Sequence, residues 1–413
     1  MARVYADLHV HSKYSAATSL TMDLEHMAYY SKFKGLKVVA TGDVLHPKWV
    51  AELRQKLTDV GGLFLLDGRP EGPLFVLSGE VSTIYEDRGE VKRLHHVVLY
   101  PSFDDVDSAF DALKDHGNLA SDGRPVLSLS SEELLATLVR IDERIELFPA
   151  HIWTPHYSLF GLHGYRSVQD AFGAMSSHVH ALETGLSSDP EMNWTLSALD
   201  SYLLVSNSDS HSPYPWRLGR EANLFDLRSL DYDSLLQALR REGPSSLIMT
   251  VETYPEYGKY HWPGHRACNF SVSPEEYVRL KGICPKCGKR LTTGVDLEVL
   301  QRADRPRGSR PKGAADFVKV IPLSEIIAES IGSEPSAAKV WKIYRDLVDK
   351  FGDEYAVLIS ASPSDVEEVA GEDIANTIKR MRDGTLQVKP GYDGVYGELV
   401  RGQRRGKSLG RFI

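Results

Sequence analysis

From residue 1 to 252 the chain alternates short apolar runs with longer stretches of helical spacing. Apolar runs at 4–10, 36–41, 74–78, 96–100, 145–150, 179–183, 203–206 and 247–251 predict strands. Apolar residues three and four apart predict helices over 23–34, 47–58, 105–115, 131–140, 191–201 and 231–242. Such alternation predicts parallel strands with crossover helices, either a barrel or an open sheet, and in a barrel chemistry gathers where strands end. After 252 the pattern changes. Residues 253–313 are rich in Gly, Pro, Cys and His and finish in "RADRPRGSRPKG" (302–313), a linker or basic strap. Residues 314–400 are mainly helical in spacing, as in "SAAKVWKIYRDLVDKFG", and 401–413 form a basic tail.

The strand ends carry candidate chemistry. In "YADLHVHS" (5–12) the alternation of a strand projects Asp7, His9 and His11 from one side, and two imidazoles on one face make a chelating pair. The remaining strand ends of this region add Asp43 in "TGDVLHP", Glu80 in "SGEVS", His96 in "RLHHVVLY", His151 in "FPAHIW", and Asp209 with His211 in "SNSDSHSP". The last pair repeats the opening spacing. Histidine and carboxylate together suit zinc, manganese or iron, and so many ligands predict two or three ions with one carboxylate bridging. Divalent ions lower the pKa of a water to about 7 and polarise a phosphoryl oxygen, so no Ser or Cys nucleophile is required. A second constellation, His265, Cys268, Cys284 and Cys287, has the spacing H-x2-C-x15-C-x2-C and predicts one structural zinc. His261 is the alternative fourth ligand.

Composition changes this picture only at its edges. With 413 residues the chain predicts two or three domains, and 42% hydrophobic with 25% charged residues is ordinary for a soluble globular protein. No apolar run reaches membrane-spanning length, the N-terminus lacks a signal pattern, and three cysteines argue against a disulfide framework, so a cytoplasmic protein is expected. The net charge of -9 does not exclude nucleic acid, because basic residues gather at 302–313 and 401–413.

The HxH, the carboxylate at 43, the strand-end Glu80, the two further histidines and the closing DxH together resemble the polymerase and histidinol phosphatase (PHP) family. That resemblance implies a distorted (β/α)7 barrel over 1–252 and a multinuclear metal site that hydrolyses phosphoesters, with Glu80, His151 and Asp209 in catalytic roles. It also favours His96 over His95, since His96 directly precedes the apolar run. Where the family commonly has TDH this chain has Thr41, Gly42 and Asp43, so that corner of the site falls to Asp43 or the nearby His46.

The additions to the barrel, a zinc-binding module with basic strap at 253–313 and a helical DNA-binding domain at 314–400, suit the grip of a duplex. "GLSSDPEMNW" (185–194), "SNSDSHSPYPWRLGREAN" (206–223), "GHRAC", "CPKCGK" and "PGYDGVYGE" (390–398) extend the resemblance over nearly the full chain, to the endonuclease Q family of DNA-repair enzymes. This implies hydrolysis, by a metal-activated hydroxide, of the phosphodiester 5′ to a deaminated base (hypoxanthine, uracil, xanthine) or abasic site. The implied cofactors are catalytic divalent ions (zinc, or manganese, magnesium or iron) and one structural zinc. Damaged DNA is the expected partner.

Lesion selection suits base flipping, since a deaminated or mispaired base costs less to unstack. Trp153, Tyr157, Phe160 and Trp194 are candidate stacking surfaces, and Arg217 and Arg220 candidate phosphate contacts. In the tail, Leu409 followed by Phe412 and Ile413 resembles a peptide that binds the sliding clamp, proliferating cell nuclear antigen. Two other readings make different predictions. A phosphatase for nucleotides or histidinol phosphate would turn over small esters without DNA, and a non-catalytic DNA-binding adaptor would tolerate Asp209→Asn.

Overall fold

The computed structural model describes residues 1–400. The sequence candidates Leu409, Phe412 and Ile413 lie outside the described residues. In the barrel region the strands are β1 (Ala2–Asp7), β2 (Leu36–Ala40), β3 (Leu57–Val60), β4 (Leu63–Leu66), β5 (Leu74–Asp87) and β6 (Glu90–Tyr100). They continue as β7 (Val126–Leu127), β8 (Glu146–Pro149), β9 (Ala181–Glu183), β10 (Leu203–Val205), β11 (Ala222–Leu227) and β12 (Ser246–Thr253).

Seven of these strands form a ring. β1 pairs in parallel with β2 and β2 with β5, β5 pairs antiparallel with β6, and β6 with β8. Ile152 N–H donates to Glu183 O to link the end of β8 to β9, β9 pairs in parallel with β10, and an isolated bridge from Val10 to Ser210 returns to β1. The antiparallel β6 is what distorts the barrel. Outside the ring β11 and β12 extend the sheet antiparallel from β1, and the hairpin β3–β4 lies against β5. The core is aliphatic, with Ala6, Leu8, Val38, Val76, Val97 and Leu147 all nearly inaccessible to solvent. His9, His11, His151 and Asp209 follow the ends of β1, β8 and β10, whereas Glu80 and His95 sit midway along β5 and β6, where each finds charged or polar partners that compensate its burial.

Local chemistry starts and stops the crossover helices. Helix Leu24–Lys34 opens on Asp23, whose side chain accepts from His26 N–H, and closes on Gly35 at φ 96. Helix Ser131–Ile141 opens on a capping box between Ser130 and Glu133. The expected helix at 191–201 is instead a single turn, Pro190–Asn193, and a short 3-10 turn at Ser197–Leu199. Asn193, Thr195 and Ser197 spend their hydrogen bonds locally or on Asp304, which competes with helix continuation. The strands β3, β4 and β11 were not among the expected elements.

Beyond the barrel, β13 (Gly264–His265) and β14 (Phe270–Ser271) form a small hairpin in the Cys-rich module, and β15 (Asp316–Val320) adds in parallel to β12. Residues grouped on sequence with the helical unit therefore begin as an edge of the barrel sheet. Helices Leu323–Ile331, Ala338–Phe351, Pro363–Ala370 and Glu372–Arg382 follow. The chain then returns, and Trp262 bridges to Tyr392 while Arg266 N–H donates to Asp393 Oδ2 at 2.6 Å. This return clasps the Cys-rich module to the barrel. No helix of the described residues is long and apolar enough to cross a membrane.

Candidate metal centre and its surroundings

Just past the end of β1 the chain carries His9 and His11 to the mouth of the barrel, where both meet Asp209 from the turn after β10. Their ligand atoms lie within 4.8 Å of one another, as do those of Glu80, His95 and His151. Glu80 joins the two groups. Its Oε2 lies 3.7 Å from His9 Nε2 and 3.3 Å from His11 Nε2, and its Oε1 lies 2.7 Å from His95 Nδ1 and 3.1 Å from His151 Nε2. His211 borders the first group, its ring 4.4 Å from that of His11.

Buried polar atoms without partners mark where cations fit. His9 Nε2, His11 Nε2 and Asp209 Oδ1 are buried and make no hydrogen bond, although His11 Nε2 is only 3.2 Å from Asp209 Oδ1. Such a convergence of lone pairs is the donor set of a divalent ion. Burial opposes charge on His9, yet the Glu183 and Glu80 carboxylates outweigh it and hold its pKa well above the ordinary value. Burial likewise works against ionisation of Glu80 and Asp209, but the surrounding histidines, with Arg124 beside Glu80, push both well below the usual carboxylate range. Burial instead pulls His95 down to about 4, which keeps it neutral, and lowers the bordering His211 as well. Two ligands sit on strained backbone, His151 at φ 30 and Asp209 at φ 47, as expected where surrounding structure dictates side-chain aim.

Three groups support the ligands from behind: Asp7, already placed on the face of the HxH, and Glu183 and Arg124, which sequence reasoning missed. Glu183, the last residue of β9, lies 3.0 Å from His9 Nδ1 and accepts from His151 N–H and Asn207 Nδ2. Asp7 accepts from Ser208 N–H at 3.0 Å and Gly219 N–H at 2.9 Å, which anchors the turn that carries Asp209. Arg124 Nη1 donates to Glu80 Oε2 at 3.1 Å. For Glu183 a signal existed, since it is the carboxylate that closes the expected strand 179–183. Arg124 lies in a loop of no pattern.

Two expected ligands are corrected. His96 points away from the cluster, with Nε2 3.0 Å from Ser131 Oγ and 3.3 Å from Thr83 Oγ1, and burial lowers its pKa to about 3. His95 takes its place because Glu80 is paired with Val97 across β5 and β6, and residues two apart on a strand share a face. Asp43 does not reach the shared cluster either. It accepts from Ser12 N–H and Ser12 Oγ, both at 2.6 Å, and lies 3.1 Å from His11 Nδ1. Gly42 makes that turn possible, since it has φ 62 and a Cβ there would lie 2.4 Å from Val10 O. His46, the alternative, stacks on Tyr14 at 4.5 Å and takes no part in either group.

Comparison with solved structures matches this arrangement over nearly its whole length. The lesion-specific endonuclease PfuEndoQ from Pyrococcus furiosus is 34% identical with a TM-score of 0.86, over 96% of this chain and 95% of that one. The chain belongs to the endonuclease Q family. A second structure, endonuclease Q with a 27-mer duplex carrying an abasic lesion at the active site, is 33% identical with a TM-score of 0.88 over 97% of both chains. Bacillus subtilis YqxK is 29% identical over 97% of this chain and all of its own. Residues 322–385 match the family model of the MJ0043 C-terminal domain.

Around this endonuclease Q barrel the other sequence candidates divide. His265, Cys268, Cys284 and Cys287 converge, with Cys287 Sγ 3.4 Å from His265 Nδ1, while His261 faces Ser187 O instead. Trp153 and Phe160 are core residues packed on each other at 4.7 Å, and Trp194 packs edge-on to Phe317, so none offers a stacking surface. Only Tyr157 of the four borders the cluster, 4.8 Å from His95. Four arginines of the basic strap engage the protein itself. Arg305 pairs with Asp200, Arg307 with Asp296 and Arg310 with Asp316, and Arg302 lies over Trp153 and Phe160. Arg217 pairs with Glu325 at 3.0 Å, and Arg220 Nε donates to Ser208 O at 3.0 Å.

Proposed function

We infer that the protein is a metal-dependent DNA endonuclease that hydrolyses the phosphodiester 5′ to a deaminated base or an abasic site. The observation that carries this reading is Glu80 shared between His9–His11–Asp209 and His95–His151, in a chain that matches a DNA-bound endonuclease Q end to end. His9, His11 and Asp209 would hold one ion and His95 and His151 a second, with Glu80 between them and His211 at the edge. Ions bound there supply a nucleophilic water at neutral pH and neutralise phosphate charge. Asp43 and Glu183 hold the proton of His11 and His9 on Nδ1, so that Nε2 faces the ions. Arg124, held to Glu80 yet about a third exposed, would present its remaining guanidinium donors to a non-bridging phosphate oxygen. His265, Cys268, Cys284 and Cys287 would hold a structural zinc that gives a module with little core its fold.

The test is cleavage of end-labelled duplexes that carry deoxyinosine, deoxyuridine, an abasic site or no lesion, with magnesium or manganese and with chelator. A chelator-sensitive cut immediately 5′ to the lesion is expected. Hydrolysis of a small phosphomonoester with every duplex left intact would overturn the assignment.

A further inference from the structure

β11 and β12 pair antiparallel with Ala222 opposite Val251, so the next residues out, Glu221 and Glu252, stand across from each other on one face of the ladder. Both are fully buried, at 0% relative exposure. Neither enters an ion pair among the described residues, and the cations nearby are committed elsewhere. Lys319 Nζ lies 2.7 Å from Asp189 Oδ2, and Arg220 Nε donates to Ser208 O at 3.0 Å. Two carboxylates directly opposite each other repel, and a buried site does little to screen them. One of the two therefore keeps a proton, as a pair of carboxyls that share a site does.

Their hydrogen bonds tell the two apart. Glu252 is surrounded by donors: Oε1 accepts from Ser206 Oγ and Thr250 Oγ1, and Oε2 from Thr184 Oγ1 at 3.4 Å. Glu221 Oε1 accepts from Thr253 N–H at 3.1 Å and Thr253 Oγ1 at 2.5 Å, but its Oε2 is buried and meets no partner among the described residues. A carboxylate that several donors stabilise holds its charge, whereas a buried oxygen without a donor is the one to carry the proton. Burial and the charge of Glu252 push Glu221 well above the ordinary carboxyl range, and burial takes Glu252 up to about 7 against the pull of its hydroxyls. The other charged groups that face the pair are Arg220 beside Glu221 and Asp189 beside Glu252, the latter with Lys319 bound to it.

The pair lies behind the groups that hold the metal ligands. Thr184, which meets Glu252, follows Glu183, the carboxylate on His9 Nδ1. Ser206, which also meets Glu252, precedes Asn207, and Asn207 donates to Glu183 and accepts from Leu8 N–H. Glu221 pins Thr253 at the end of β12 and adjoins Arg220, whose bond to Ser208 O secures the residue before Asp209. We propose that Glu221 carries a buried proton shared with Glu252 at neutral pH, and that this singly protonated pair positions the ends of β9 and β10 beneath the metal centre. The inference rests on the metal centre assigned above and not on which phosphodiester its ions attack.

The proton is tested apart from the metals. At about pH 8 ordinary carboxyls are ionised, so the infrared carbonyl band of a protonated carboxyl is expected in the wild type and is expected to vanish in Glu221→Gln. The unfolded chain gives up this proton above about pH 4.3 while the fold keeps it, so the wild type loses stability as the pH rises. Glu221→Gln puts an amide donor in the same place without a titration. Its folding constant relative to the wild type is therefore expected to rise about tenfold per pH unit between about pH 5 and 7, read by denaturant unfolding. A wild type without the band refutes the shared proton whether or not the variant folds, and so do stability profiles that run parallel. The positioning role is tested by calorimetric titration with manganese. Glu221→Gln is expected to retain uptake and Glu221→Ala to weaken it about tenfold. If Glu221→Ala does not fold, Ser206→Ala, which cuts the tie from Glu252 to β10, is read in its place with the same expectation. Uptake as tight as that of the wild type would refute the positioning role, and the endonuclease reading would stand.

Discussion

An imidazole offered to a cation through Nε2 must carry its proton on Nδ1, and for both histidines of the opening HxH a carboxylate stands ready to hold it there. Glu183 does so for His9 and Asp43 for His11, at 3.0 and 3.1 Å. The Asp43 found at the corner where the family commonly has TDH is thus used one layer further out. His95 and His96 differ more sharply, although they are neighbours. Both are buried and neutral, but His95 faces Glu80 and His96 faces Ser131. Replacement of His95 by Ala is expected to lower lesion cleavage at least about 100-fold and to weaken metal uptake. His96→Ala should cost about 1–3 kcal/mol of stability through lost packing against Phe172 and the unpaired Ser131 and Thr83 hydroxyls, with metal uptake retained. Metal titration of the two variants with thermal melts separates them, and equal metal loss in both would contradict the assignment.

At the scale of elements, the register of one hairpin decides which histidine serves. β5 and β6 are joined by Arg88 and Gly89, at φ 53 and 80, a two-residue turn of the kind that suits the twist of a hairpin. With Asp87 opposite Glu90, Glu80 falls opposite Val97 and shares its face with His95. That register was legible, because "EDRGEV" carries the turn, but the run at 96–100 was read as a parallel strand that begins at His96. The helices were legible through their caps and apolar spacing. β11 was not, since its inward Asn223 breaks the apolar pattern in order to bond Ser206 and Asn207. A second coupling joins the helical unit to the metal centre. Tyr355 OH donates to Gly219 O at 2.6 Å, Gly219 N–H to Asp7, and Ser208 N–H to Asp7, next to Asp209. Tyr355→Phe leaves the Gly219 carbonyl buried without that partner and should cost about 1–3 kcal/mol. It should also raise the metal concentration that half-saturates cleavage, with KM for DNA little changed. An unchanged metal requirement would mean that the helices only support the barrel.

For the whole molecule, composition pointed to nucleic acid through two basic segments, and in the one among the described residues Arg305, Arg307 and Arg310 pair with Asp200, Asp296 and Asp316 of the chain itself. Sequence records charge but not what faces it, and so the strap read as a DNA grip. What it does is tie the Cys-rich module down: Arg305 reaches Asp200 and Arg307 reaches Asp296, while the returning chain adds Asp393 against Arg266 and Thr292. The four converging ligands were legible because spacing alone defines a chelating turn, and here Gly288 N–H donates to Cys284 O and Cys284 N–H to Lys289 O to close it. Cys287→Ser should then lower zinc content by one ion per chain and open residues 266–290 to limited proteolysis. Because the barrel ligands are untouched, uptake of the catalytic ions should be retained. Unchanged zinc content together with an unchanged digestion pattern would show that these cysteines hold no metal and that the strap and clasp suffice to fold the module.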